Sequence, residues 1–194
     1  MYKYFKRLLD IVLSAAGLLV LSPVLLVIAV AIKLDSKGPV LFKQKRVAKG
    51  KEHFQILKFR TMYADVPKDV PTHLLADPES KITKIGRFLR KSSLDELPQI
   101  WNILVGEMSI IGPRPALWNQ FDLIAERDKY GANDVRPGLT GLAQVMGRDE
   151  LPIDVKAKYD GEYAQNVTFA NDVKIFFKTI TSVLGAKGVK EGRQ

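Results

Sequence analysis

The chain contains no cysteine, which excludes a disulfide framework and any thiolate metal site. Its two histidines, His53 and His73, lack metal-ligand spacing. No P-loop, GxSxG or HExxH pattern occurs, nor any internal repeat or low-complexity segment. Aromatic residues are not interleaved with the basic clusters, so the stacking platform of a single-strand nucleic-acid binder is missing. Acids are in short supply: 21 Asp and Glu face 30 Lys and Arg, a formal charge of +9. Such an excess suits nucleic acid, anionic lipid or phosphorylated substrates. With no nucleic-acid motif present, lipid and phosphate rank first and nucleic acid is not expected.

One feature is abundant where charge is absent. From Ile11 to Ile32 the chain runs 22 residues without a charged side chain. As a helix this covers ~33 Å, enough to cross a hydrocarbon core of ~30 Å. Asp10 stands just before the run, and Ser22-Pro23 interrupts its middle. Both flanks are basic: Lys3, Lys6 and Arg7 precede it, and Lys33, Lys37, Lys43, Lys45 and Arg46 follow. Basic flanks mark the cytoplasmic side, so a simple span puts one cluster on the wrong side. A helix that bends at Ser22-Pro23 and returns keeps both inside. Pro23 has no N–H and clashes with the Leu19 carbonyl; the Ser22 hydroxyl is placed to satisfy a freed carbonyl. On the residues alone, a plain spanning helix and a re-entrant one stay open. The run exceeds the apolar core of a signal peptide, and no small-x-small cleavage site closes it before Lys33.

Roughly 160 residues remain after this segment, one domain of ordinary size. Asp35-Ser36-Lys37-Gly38-Pro39 is turn chemistry. The pattern predicts a hairpin of Val40 to Val47 with Phe54 to Met62, turning through Ala48 to Lys51. Period-2 alternation then places Phe54, Ile56, Lys58 and Arg60 on one face. Ala64 to Ser80, with Pro67, Pro71 and Pro78, reads as a loop. Lys81 to Lys91 reads as a basic amphipathic helix, fit for an anionic interface or for packing on a core. Helices are predicted over Pro98 to Leu104, Leu117 to Tyr130, Asp154 to Gln165 and Asn171 to Leu184. The last carries a broad apolar face. Gly112-Pro113-Arg114-Pro115 and Val135 to Gly141 read as two rigid turns, and Leu142 to Met146 as a short strand.

The sharpest local signal is Ser92-Ser93-Leu94-Asp95-Glu96-Leu97-Pro98. With Ser93 as N-cap, Glu96 completes a capping box; with Asp95 as N-cap, Pro98 falls at a tolerated position. Either register sets Asp95 in or beside a first helical turn, where ionised carboxylates and phosphate are favoured. Adjacent Asp95 and Glu96 can share an oxygen-seeking cation such as Mg2+. Taken alone, the pair reads first as a common helix cap. Arg114, Arg136 and Arg148 are held by Pro- or Gly-containing turns and present planar forks suited to phosphate.

These segments together resemble the bacterial sugar transferase family, the small monotopic phosphoglycosyl transferases. The stretches that carry the resemblance are Lys6-Arg7-Leu8-Leu9-Asp10, Leu21-Ser22-Pro23, Lys58-Phe59-Arg60-Thr61-Met62, Ser93 to Gln99, Gly112-Pro113-Arg114-Pro115, and Val135 to Gly141 running on to Gln144-Val145 and Gly147-Arg148. They span nearly the whole chain in order. Met146 departs from the pattern, which often has asparagine there. The resemblance implies an α+β protein with a re-entrant membrane helix over residues 1–36. A cytoplasmic catalytic domain over residues 37–194 would carry a small β-hairpin and interfacial helices. It implies transfer of a sugar phosphate from a UDP-sugar to undecaprenyl phosphate with release of UMP, at the cytoplasmic face of the bacterial inner membrane. Asp95 would be the nucleophile, Glu96 would help hold Mg2+, and Lys58, Arg90, Arg114, Arg136, Gln144 and Arg148 would contact substrate. The product would feed capsule, exopolysaccharide or another glycoconjugate. The chain would act as a minimal catalytic unit, and a homodimer stays open. Two other readings compete: a membrane-anchored phosphohydrolase using the same carboxylates, and a basic lipid-surface scaffold without catalysis.

Overall fold

A computed structural model describes residues 2–67, 77–147 and 151–184. Helix α1 occupies Tyr2–Asp35 as one element with Pro23 inside it, about 51 Å at ~1.5 Å per residue. The sequence leaves a plain helix and one bent at Ser22-Pro23 open; residues 2–35 form one helical element that includes Pro23. The reason is local. Pro23 leaves the Leu19 carbonyl without its usual donor, and the Ser22 hydroxyl donates to it at 2.8 Å.

Along its length α1 lies against the rest of the chain. At its start, Tyr2 and Lys6 donate to Asp172 at 2.6 and 2.7 Å. Arg7 donates to the Ile103 and Leu104 carbonyls at 2.7 and 2.8 Å, and buried Asp10 accepts the Ile110 N–H at 3.0 Å. In the middle, Gly17 faces Ile100. At its end, Ile28 and Ile32 pack with Phe59 and Leu89, and Asp35 accepts the Ile85 N–H. The opposite face is apolar and open: Leu19 and Leu34 are 77% and 83% exposed. A continuous exposed apolar face on this scale is a contact surface.

Strands β1 (Leu41–Val47) and β2 (His53–Phe59) pair antiparallel, with Leu41 opposite Phe59 and Val47 opposite His53. The connecting turn uses Gly50 at φ 67°. Phe54 and Ile56 pack on Ile103 and Met108, as alternation requires. The free edge of β2 is closed by a side chain. Buried Asn102 accepts the Leu57 N–H at 3.0 Å and donates to the Gln55 carbonyl at 2.9 Å.

Helix α2 (Lys84–Ser92) is N-capped by Thr83, whose hydroxyl accepts the Gly86 N–H. A 3-10 turn at Leu94–Glu96 joins it to α3 (Gln99–Val105), which ends at Gly106 with φ 96°. Strands β3 (Ser109–Ile111) and β4 (Gly138–Thr140) pair in parallel. The two Gly/Pro turns therefore meet as one crossing. A Cβ on Gly138 would lie 2.1 Å from the Gly112 nitrogen, so only glycine lets these backbones approach. The expected turn over Val135 to Gly141 thus contains a strand, and Leu142 to Met146 is not a strand but helix α5 (Leu142–Met146). Helical spacing lets Leu142 and Val145 pack together against Ile111, Tyr163 and Ile175.

Helix α4 (Phe121–Asp128) is shorter than the predicted Leu117 to Tyr130, because Leu117 instead bridges to Arg46. Helices α6 (Ile153–Gln165) and α7 (Phe169–Leu184) match expectation closely. On α7, Phe176 and Phe177 are exposed. At its start, Phe169 stacks edge-on to Tyr2 and Phe5 of α1. Helices α2, α4 and α6 and the hairpin give the α+β class expected.

Candidate active site

Helix α2 ends on Ser93, which adopts φ 57°. This residue turns the chain so that Asp95 and Glu96 leave the helix axis in a 3-10 turn, ahead of α3. The capping box does not form: neither the Ser93 side chain nor any other caps α3, and Pro98 precedes its first turn. Asp95 lies in the first turn of the 3-10 element that starts after Ser93, as expected, but no side chain caps it; Glu96 turns toward cations instead of a backbone N–H.

Those cations come from separate elements. Lys58, on the inward face of β2, donates to Glu96 Oε1 at 2.7 Å. Arg114, held between Pro113 and Pro115, donates to the same oxygen at 2.8 Å. Side-chain exposures of 17% for Lys58 and 20% for Glu96 place this pair out of bulk water, while Arg114 at 42% reaches the surface. Burial alone would push the Glu96 carboxyl up; Arg114 and Lys58, by charge and hydrogen bond, outweigh it and hold Glu96 well below the usual carboxylate range. Asp95 goes the other way. Burial pushes it up and the Glu96 charge adds to this, while Lys58, Arg90 and Arg114 pull it back. Adjacent carboxylates with opposed shifts are the arrangement that assigns different roles to chemically similar groups.

Arg90, in the last turn of α2, donates through Nε to the Thr61 hydroxyl at 2.9 Å and is among the charges acting on Asp95. Arg46 also belongs here. Read from sequence only as a basic residue flanking the apolar run, it lies close enough to Glu96 and Arg114 for each to act on its charge. It donates to Gln44 Oε1 at 2.6 Å and to the Pro115 carbonyl at 3.0 Å. The signal for it was its place on the β1 face opposite Lys45, which is legible only once the hairpin register is known. Behind Arg114, Arg127 of α4 donates to the Arg114 carbonyl at 3.0 Å and to Asp160 of α6 at 2.8 and 2.5 Å. Both members of this pair are buried.

Other expected contacts fall elsewhere. Arg136 donates to the Gly106 carbonyl at the far end of α3, close to Arg7. That is about 10 Å of helix from the acids. Gln144 donates to the Leu139 carbonyl. Neither is brought to Asp95, because each backs onto the β3–β4 crossing. Arg148 lies outside the described residues.

Among the described residues no group of three or more Asp, Glu, His or Cys side chains gathers. The donors available to a cation are thus the two carboxylates. Asp95 accepts no hydrogen bond among the described residues, and Glu96 Oε2 has none either; only Oε1 is taken. Two carboxylate groups with open oxygens, completed by substrate phosphates, fit the hard, oxygen-seeking Mg2+.

The chain matches the family model described as "Bacterial sugar transferase" over residues 1–186. It is 40% identical over 193 residues to a UDP-glucose:undecaprenyl-phosphate glucose-1-phosphate transferase of Caulobacter vibrioides, covering 92% of this chain and 69% of that protein. It is 38% identical over 195 residues to a UDP-N-acetylgalactosamine-undecaprenyl-phosphate N-acetylgalactosaminephosphotransferase of Aeromonas hydrophila, covering 97% and 46%. To the exopolysaccharide production protein ExoY of Sinorhizobium fredii it is 33% identical, covering 94% and 87%. The chain belongs to the bacterial sugar transferase family. It spans less than half the length of several curated relatives it matches.

Proposed function

We propose that this protein transfers a sugar phosphate from a UDP-sugar to undecaprenyl phosphate and releases UMP. The observation that carries the reading is the Asp95-Glu96 pair on its tight turn, ringed by Lys58, Arg90, Arg114 and Arg46. Relatives covering most of this chain are named for that reaction. Four cations against two carboxylates leave an excess positive charge, which a diphosphate complements.

The chemistry follows from the environments. An Asp95 oxygen attacks the β-phosphorus. The bond from that phosphorus to the bridging oxygen breaks, and UMP departs with the bridging oxygen and its electron pair. An aspartyl phosphosugar remains. An oxygen of undecaprenyl phosphate then attacks the same phosphorus, breaks the bond to Asp95 and restores the carboxylate. Lys58 and Arg114 fix Glu96 and offer charge to the phosphoryl oxygens as negative charge builds. Asp95 and Glu96 would hold Mg2+, which supplies Lewis-acid neutralisation of phosphate charge when bound.

Helix α1 fits a monotopic anchor on the cytoplasmic face of the inner membrane. Contacts at Tyr2, Lys6 and Arg7 and again at Ile28, Ile32 and Asp35 hold both of its ends to one domain. A helix tied in this way keeps both basic flanks on one side while its open face meets lipid. A panel of UDP-sugars tested for UMP release, with and without undecaprenyl phosphate, checks the reading. Release that yields lipid-linked sugar in the presence of the lipid supports it. Steady release of UMP and free sugar phosphate into water, indifferent to the lipid, overturns it in favour of a hydrolase.

A further inference from the structure

Thr61 lies two residues past the end of β2 and is buried. Its hydroxyl accepts the Arg90 Nε at 2.9 Å, and its carbonyl accepts the Thr83 N–H at 3.0 Å. Thr83 caps the start of α2, while Arg90 stands in its last turn. One residue therefore holds both ends of this helix. The contact is as close as backbones permit: a Cβ on Gly86, in the first turn of α2, would lie 2.0 Å from the Thr61 carbonyl oxygen. Next to Thr61, buried Arg60 donates to the Lys37 and Ser36 carbonyls, just where α1 ends.

We infer that Thr61 is a positioning residue for Arg90: its hydroxyl sets the plane of the guanidinium and so aims the fork at the phosphate bound beside Asp95. The physical reason is the rigidity of the acceptor. Arginine is a long, rotamer-rich side chain with a planar donor fork. A bond to Nε fixes that plane, and with it the direction of the Nη edge. The acceptor is itself immobile, because Thr61 is pinned by the α2 cap on one side. On the other side its neighbour Arg60 is fastened to the exit of α1. The geometry thus ties the orientation of Arg90 to the point where the chain leaves its apolar helix. This inference rests on the proposed transferase reading, in which Arg90 contacts a phosphoryl group.

The test compares Thr61→Val, which keeps shape and removes the acceptor, with Thr61→Ser, which keeps the acceptor. Both are made in the full chain and assayed for UMP release with a UDP-sugar that the wild type turns over. Thr61→Val should lower kcat/KM by about tenfold or more, the scale of a hydrogen bond to a charged group, while Thr61→Ser stays within about twofold of wild type. Arg90→Lys should resemble Thr61→Val, and the double variant Thr61→Val/Arg90→Lys should be no worse than Arg90→Lys alone. Thr61→Ala serves the same comparison if valine disturbs folding. Equal activity in wild type and Thr61→Val, or losses that multiply in the double variant, overturn the inference alone. A wild type that releases UMP from no UDP-sugar overturns the transferase reading and this inference with it.

Discussion

At the scale of single residues, the opposed environments of Asp95 and Glu96 make separable predictions. Asp95 is raised by burial, so its ionised form costs stability at any pH above its folded value. Asp95→Asn removes that cost. Turnover should fall by about a thousandfold or more, yet the melting temperature at pH 8 should rise by about 2 °C. The rise should vanish as pH falls through the carboxylate range, because protonation then removes the cost in wild type too. The rate of the wild type should drop over the same fall in pH, as the nucleophile is protonated. Glu96 is the reverse case. Its carboxyl is depressed by Arg114 and Lys58 despite burial, so its contribution is complete above the unfolded value of about 4.3 and lost only as pH falls well below it. Glu96→Gln should lower turnover about a hundredfold and shift the Mg2+ concentration for half-maximal rate. An unchanged Mg2+ dependence would count against a metal role for this side chain. Much of this pair was legible in the sequence, since Asp-Glu followed by Leu-Pro stands out. Its geometry was not: a left-handed Ser93 cannot be read from a serine, and the capping box expected there gave way to two cations from distant strands and loops.

At the scale of elements, the site is carried by contacts between pieces that share no sequence neighbourhood. Arg114 reaches Glu96 because Arg127 and Asp160, on α4 and α6, brace its backbone. Breaking this buried pair leaves an uncompensated cation. Asp160→Asn should therefore destabilise by about 3–5 kcal/mol, read by denaturant unfolding, and should weaken UDP-sugar binding through a displaced Arg114. Asn102 is a second brace: it closes the edge of β2 as a third strand would. Asn102→Leu should cost about 2–3 kcal/mol through the unsatisfied Leu57 and Gln55 groups. The hairpin, α6 and α7 were evident from periodicity. The β3–β4 crossing was not, because Gly112 and Gly138 look like turn residues until their backbones are seen to touch. Helix α5 was mistaken for a strand for a related reason: five apolar-rich residues carry too little periodicity to separate the two. Arg136 and Gln144, expected to contact substrate, donate to the Gly106 and Leu139 carbonyls.

At the scale of the whole molecule, the long apolar helix α1 is fastened to the rest of the fold at both ends. Cysteines introduced singly at positions 2 and 36 should both be labelled only from the cytoplasmic side; labelling of the first from outside would rule out the monotopic arrangement. Pro23→Ala tests what holds that arrangement. Proline was expected to bend the helix while the Ser22 hydroxyl satisfies a freed carbonyl; Ser22 does donate to the Leu19 carbonyl, and the two halves belong to one helical element. If the proline bend sets the topology, the alanine variant should populate a spanning form of ~33 Å and lose activity. Native labelling with full activity would assign the hold to the contacts of Lys6, Arg7 and Asp10. The central claim, that Asp95 carries the sugar phosphate covalently, is tested most directly by intact-protein mass spectrometry after incubation with a UDP-sugar in the absence of undecaprenyl phosphate. The account predicts stoichiometric UMP release and a mass increase of one sugar phosphate. The adduct should map to Asp95 and be discharged on adding the lipid. An unmodified protein that transfers sugar phosphate only when both substrates are present would contradict it.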